Sequence, residues 1–420
     1  MSLTHSAERI VLHDYGGYAF TLQLAGALAE RGHEVLYLYA SRASKSPARQ
    51  DAEPAASLMI EPIDIGQPLQ RYSWRRRFLQ DRRYGRQLAL RIISFGPTVV
   101  MSANSPLDVQ ADAQAASRRV NAAFIFLLQD IHSIALHRIL ARRVKAAAGL
   151  LASRFARLEK RLVRSSDAIV AITDDFLPVL AGWRCDPRRV AVIENWAPLE
   201  AAVREKQNPW AADHGLTERA VLLYAGTLGL KHDPSLLMAL ADALPEATVV
   251  VVSEGLGADW LRRTRSRPNL MLIPFQQANT MVEVLATADI LVALLEPDAG
   301  AFSVPSKVYA YMVAGRPILA SIPSRNLAAR TITRAAAGRV VEPGDRCGFI
   351  EAARALLRDP PSRLSAGAAG RAFAERNFQI AAITDRFEIV MREALEGRLP
   401  GNRGSAGLGS AGDARSTAAP

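Results

Sequence analysis

Short apolar, β-branched segments alternate with helical patterns from RIVLHD at residues 9–14 onward, and after one polar interruption the alternation starts afresh at AVLLYAG, residues 220–226. This doubled pattern constrains the fold more than any other feature. A strand buried on both faces reads as a continuous hydrophobic run, and a helix between successive strands makes them parallel. In the first series the expected strands are residues 9–14, 34–39, 98–103, 123–129, 167–173 and 189–195. In the second they are 220–226, 247–255, 269–275, 289–296, 316–321 and 338–344. Two such series, joined near 197–218, predict an α/β chain of two Rossmann-like, doubly wound domains facing across a cleft. The expected divisions are residues 1–200 and 201–372, then an amphipathic helix at 373–397 and a disordered Gly/Ala/Ser-rich tail at 398–420. Ligands of open α/β sheets bind at the carboxyl ends of the strands, so the loops that follow strands are where a site is sought.

Composition narrows the class. Hydrophobic residues make up 49% and charged residues 22%, which is globular and neither disordered nor coiled-coil. The most apolar run, AAFIFLLQDI, is far short of the ~20 residues of a membrane span, and the first residues lack a signal-peptide pattern, so a cytoplasmic protein is expected. Cys185 and Cys347 are the only cysteines, with no metal-ligand spacing, so neither a disulfide framework nor a zinc site is expected. The net charge of +11 concentrates in two segments. Residues 71–91 hold eight arginines and one acid, and residues 138–164 hold nine basic residues and one acid. Solvated helix faces and contact with an anionic membrane surface both fit. Nucleic acid is not expected, because no aromatic-studded strand or finger accompanies the charge.

Three loops carry candidate chemistry. After the first strand, Gly16 and Gly17 open a helix, where paired glycines let a phosphate or sugar approach backbone amides. The pattern is not GxGxxG, and after the second strand come Ala40, Ser41 and Arg42, with no acid for a dinucleotide ribose, which disfavours NAD. The second domain opens with LLYAGTLGLKHDP, where Gly226, Thr227 and Lys231 put a flexible loop and a cation at a strand end. The third is EPDAGAFSVPSKVYAYMVAGRPI, residues 296–318. Here Ser303 is the expected N-cap, Pro305 suits the first turn and Gly315 the C-terminus of one short helix. Lys307 in the first turn of that helix opposes its dipole, so a diphosphate bound by the amides near Ser303, the Ser306 hydroxyl and the Lys307 ammonium is expected there.

Taken together, the GGY turn, YAGTLGLKHDP and the 296–318 stretch resemble the GT-B glycosyltransferases, specifically the retaining enzymes of family 4. Within it the nearest branch is the one that builds capsule, O-antigen or colanic-type exopolysaccharide. The resemblance runs to about residue 396. It implies a first domain for the acceptor, a second for a nucleotide sugar, a final helix returning to the first domain, and no metal. It also implies a UDP- or GDP-sugar donor and a glycan or polyprenyl-diphosphate-linked acceptor, with the enzyme peripheral on the inner face of a membrane. Lys231 matches the family's lysine, with Thr227 where many members have arginine. Ala310 stands where many have a ribose-binding glutamate, which leaves Glu254 and Glu296 as alternative ribose or sugar contacts. Asp130 and His132, at the end of the 123–129 strand, match a family position near the reacting sugar carbon. Asn104 is a further cleft candidate. The rival readings are a GT-B sugar-nucleotide epimerase and a non-catalytic assembly subunit.

Overall fold

The computed structural model describes residues 6–41, 56–66, 74–135, 147–199, 203–264 and 267–398. Seven strands form the first sheet: β1 Arg9–Asp14, β2 Glu34–Ala40, β3 Leu58–Ile63, β4 Val99–Ala103, β5 Ala123–Leu128, β6 Ala168–Ala171 and β7 Val190–Val192. Six form the second: β8 Ala220–Ala225, β9 Ala247–Val252, β10 Leu270–Ile273, β11 Ile290–Leu294, β12 Ile318–Ser321 and β13 Gly338–Val341. Their orders are β3-β2-β1-β4-β5-β6-β7 and β10-β9-β8-β11-β12-β13. Every described pairing is parallel, as the doubled pattern predicts.

In each sheet the first strand lies centrally, next to the point where the strand order reverses, so its following loop opens into the crevice between helices. Register fixes those loops. Asp14 pairs with Tyr39 and Ala103, and Ala225 with Val252, so the GG loop and the Gly226 loop leave their sheets level with neighbouring strand ends.

One strand, β3, was not expected. Its sequence LMIEPI is only partly buried and contains Pro62, and an edge is where a strand missing one amide donor is tolerated. Expected strand ends also ran long: 247–255 stops at Val252, because Gly255 turns the chain with φ +103°.

The division expected at residue 373 falls inside a helix, Pro360–Asn377. The chain breaks at Phe378 and Gln379, and a last helix, Ile380–Glu396, packs on the first domain. Arg31 fastens it, donating to Asp385 and Glu388 at 2.6 Å each and to the Ala381 carbonyl at 2.7 Å. Phe387 packs on Trp196, which packs edge-on against Phe20.

The basic segments are helical where described, as Trp74–Phe95 and Ala147–Arg164. Residues 71–73, 138–146 and the tail from 399 lie outside the described residues. Among the described residues, no helix is long and apolar enough to cross a membrane.

Candidate active site

The loop after β5 and two loops of the second domain meet. The Lys231 ammonium donates to the Ser303 hydroxyl at 2.6 Å and lies 3.8 Å from the Asp130 carboxylate. Backbone contacts hold both sides: Ile131 N–H donates to the Phe302 carbonyl across the cleft at 3.1 Å, and Glu296 N–H donates to the Lys231 carbonyl at 2.9 Å. Lys231 and Asp130 are each 38% exposed, so the pair faces solvent and its attraction is screened. Four residues singled out from sequence, Asp130, Lys231, Glu296 and Ser303, are thus linked directly, although 173 positions separate the first from the last.

Ser303 differs from its expected role. The helix starts at Lys307, with Ser306 at the cap position making no side-chain cap bond. Pro305 is the reason, since it biases Val304 away from helical geometry and delays the helix start. The Ser303 amide donates to the Ala299 carbonyl at 3.1 Å, so it is not an open donor. Its hydroxyl, buried, instead receives Lys231. Asn326 pins the segment by donating to the carbonyls of Gly300 and Ser303 at 3.0 and 2.9 Å. Ser306 is exposed, and Gly315 ends the helix at φ +65°, the conformation expected of it.

Lys307 is the first helical residue, and its ammonium lies 3.5 Å from the centroid of the Tyr224 ring. The negative face of that ring supports a cation that the helix dipole disfavours. Gly226 gives it room: a Cβ there would sit 3.0 Å from the Lys307 Nζ, on a backbone with φ +126°. Ser253 braces the same loop, accepting from Leu228 N–H at 3.1 Å and donating to the Gly226 carbonyl at 2.6 Å. Thr227 accepts the Tyr224 hydroxyl on its carbonyl, and the Glu254 carbonyl accepts Leu228 N–H, so both contribute backbone to this loop. The Glu254 and Glu296 side chains are half-buried. Ala310 is half-buried and packs against the core.

On the first-domain side, the GG loop differs from expectation. Gly16 N–H and Tyr18 N–H both donate to the Asp14 carboxylate at 2.9 Å, and Gly17 N–H donates to the Asp14 carbonyl at 3.0 Å. The two glycine amides expected to face a phosphate are therefore engaged by Asp14. A Cβ at Gly16 would meet the partly exposed Tyr18 ring at 2.2 Å, so a larger residue there would displace that ring. Asp14 also receives Thr21 Oγ1 at 2.5 Å and Asn104 Nδ2 at 3.1 Å, so Asn104 clamps the loop from β4. Burial pushes the Asp14 carboxyl up, and these donors pull it back only in part.

His132 rests on Glu159. The Glu159 carboxylate accepts His132 N–H and Ser133 N–H at 2.8 Å each, and its Oε1 lies 3.6 Å from His132 Nδ1. Burial alone would lower the His132 imidazole, but the Glu159 carboxylate outweighs it and raises it, with Asp130 adding and Lys231 opposing. Burial would raise the Glu159 carboxyl, and His132 together with Ser133 holds it below its ordinary value. Asp14, Ser253, Asn326 and Glu159 were not singled out from sequence. The available signals were local: Asp14 directly precedes the glycine pair, and Glu159 is the one acid of a basic segment.

Residues 16–201 match the family described as Glycosyltransferase Family 4, and residues 219–359 match Glycosyl transferases group 1. Among curated proteins none matches the sequence significantly. A sucrose-phosphate synthase of Thermosynechococcus elongatus superposes with TM-score 0.68 at 14% identity, covering 93% of this chain and 100% of that one. Anabaena HepE in complex with UDP-glucose superposes with TM-score 0.64 at 13% identity, over 92% of this chain and 99% of that one. A glycosyltransferase of Rickettsia africae ESF-5 gives TM-score 0.61 at 13% identity, over 93% and 99%. At these identities the likeness is one of fold, and it covers both domains together.

Proposed function

We propose that this chain, a GT-B glycosyltransferase with a family 4 amino-terminal half and a group 1 carboxyl-terminal half, moves a sugar from a nucleoside diphosphate to a glycan hydroxyl with retention of configuration. The observation that carries the reading is the Lys231 ammonium, seated between Ser303 of one domain and Asp130 of the other, beside the loop that Gly226 opens and Lys307 underlies. Anabaena HepE, a structural relative seen in complex with UDP and with UDP-glucose, supports a uridine donor.

The chemistry asks for stabilisation of a leaving diphosphate more than for a strong nucleophile. As the bond from the anomeric carbon to the β-phosphate oxygen breaks, its electron pair stays on the diphosphate, and Lys231 and Lys307 supply positive charge there. The acceptor oxygen bonds the anomeric carbon on the same face and gives its proton to the departing phosphate. Asp130, 3.8 Å from Lys231, and His132 of the same loop would bind the sugar hydroxyls in this reading.

A lipid-linked acceptor in surface-polysaccharide synthesis fits the helix Trp74–Phe95. Phe78 and Leu79 are 43% and 67% exposed there, among exposed Arg76, Arg82, Arg83 and Arg86. Each such cation near anionic lipid contributes ~1 kcal/mol. The test is incubation with radiolabelled UDP- and GDP-sugars and polyprenyl-diphosphate-linked glycans. Nucleotide release with a labelled lipid product, the new linkage keeping the donor's anomeric configuration by NMR, is expected. Interconversion of the donor sugar without transfer, or an inverted linkage, would sink the reading.

A further inference from the structure

Within the basic segment at 138–164 the one acid, Glu159, faces inward and is fully buried. A buried carboxylate is costly unless its charge is compensated, and the basic residues of its own helix make no described contact with it. The compensation comes from another loop. Two successive amides, His132 and Ser133, donate to its two oxygens at 2.8 Å each, and the Nδ1 edge of the His132 ring lies at 3.6 Å. The same short loop carries Asp130, 3.8 Å from Lys231, and Ile131, whose amide bonds the Phe302 carbonyl of the opposite domain. One carboxylate thus grips, from behind, the only described first-domain loop that touches Lys231.

We propose that Glu159 is a positioning residue for sugar transfer: it holds the loop 130–133 in the cleft and fixes the His132 ring with Nδ1 toward the carboxylate, leaving the exposed part of the ring for the reacting sugar or its leaving group. The inference rests on reading the Lys231 cleft as the reaction centre. The side chain of His132 is 40% exposed while its Nδ1 is buried, the geometry of a ring backed on one edge and open on the other. The charged groups facing it are Glu159 from the helix behind, Asp130 from its own loop and Lys231 from across the cleft. Their balance raises the imidazole above its ordinary value, so a cationic ring is more populated at neutral pH than in a free histidine. A carboxylate set behind the far nitrogen of a histidine orients the ring in a general pattern, here through charge at 3.6 Å and without a hydrogen bond to Nδ1.

The test uses the full chain and the variants Glu159→Gln, Glu159→Asp, His132→Ala and the Gln/Ala double variant. Two readouts are required: the His132 ring titration by NMR, its signals assigned by their absence in His132→Ala, and the pH profile of kcat. In Glu159→Gln the ring should titrate at lower pH. With it, kcat should fall about tenfold or more, donor KM should stay within about twofold, and the alkaline limb of the profile should move to lower pH. Glu159→Asp should recover part of the loss, and the double variant should be no slower than His132→Ala. A loop staple without a role in transfer would change melting temperature but neither the limb nor the titration. An unchanged ring titration, an unchanged profile or additive losses in the double variant would overturn the proposal. Should Glu159→Gln fold poorly, Glu159→Asp carries the same readings. Calorimetry of UDP and GDP with the unaltered protein separates the two ideas: no binding strikes the donor reading, while the His132 titration still decides for or against the pair.

Discussion

Replacing Asp130 by Asn tests the charge logic of the cleft most sharply, because it should act in opposite directions on binding and on turnover. Asp130 lies 3.8 Å from Lys231, and both side chains are more than a third exposed. At a water-like dielectric that attraction is about 1 kcal/mol, and screening by salt reduces it further. A doubly charged diphosphate at hydrogen-bonding range of Lys231 gains roughly 3 kcal/mol by the same arithmetic, of which ~2 kcal/mol survives desolvation, the usual worth of a charge-assisted hydrogen bond. Lys231→Met should therefore weaken UDP or GDP about 30-fold, with little effect on the corresponding monophosphate. Asp130→Asn removes a competing anion, and at ~6 Å from the diphosphate its repulsion is worth on the order of 0.5–1 kcal/mol after screening. The variant should bind the diphosphate about two- to fivefold more tightly at low ionic strength, the gain shrinking in about 0.5 M salt, while turnover falls. Isothermal titration calorimetry at two salt concentrations measures the binding, and release of nucleotide from a sugar donor measures the turnover. A variant that binds diphosphate more weakly, or a Lys231→Met protein that loses as much monophosphate as diphosphate affinity, would refute the reasoning.

Two further outcomes follow from the structure. Gly226→Ala forces an alanine to φ +126° and sets its Cβ 3.0 Å from the Lys307 ammonium, so it should lower stability by ~1–3 kcal/mol and weaken donor binding together; denaturation and calorimetry that find either unchanged would contradict the loop geometry. His13 is fully buried between Ser102 and Tyr84, and burial lowers its imidazole from 6.5 to about 3. With the folded value depressed, its contribution is fully present above pH ~6.5 and is lost as acid protonates the unfolded chain first, on the order of 2–3 kcal/mol by pH 4.5. Chemical denaturation at pH 7 and 4.5 should show that extra loss in the natural protein and not in His13→Gln; equal losses in both would rule it out.

The fold was legible because parallel strands sandwiched by helices leave continuous apolar runs, and each of the twelve expected strands has a counterpart in one of the two sheets. β3 escaped because an edge strand needs little apolar sequence, and Pro62 argues against a strand everywhere but there. Glycine at 226 and lysine at 231 were readable as a loop and a cation, since those properties belong to single residues. What each group touches was not. The Gly16 and Gly17 amides read from sequence as open to a ligand, but Asp14, two and three residues before them, occupies both. Lys307 looked misplaced because its support, the Tyr224 ring, lies eighty residues away in sequence. Sequence alone determined the backbone plan and the kinds of chemistry at its strand ends, because periodicity and turn chemistry are local. Only the tertiary structure decided that Lys231 meets Ser303 and Asp130 and that Glu159 backs His132, because burial and charge act through space between segments that the chain order keeps apart.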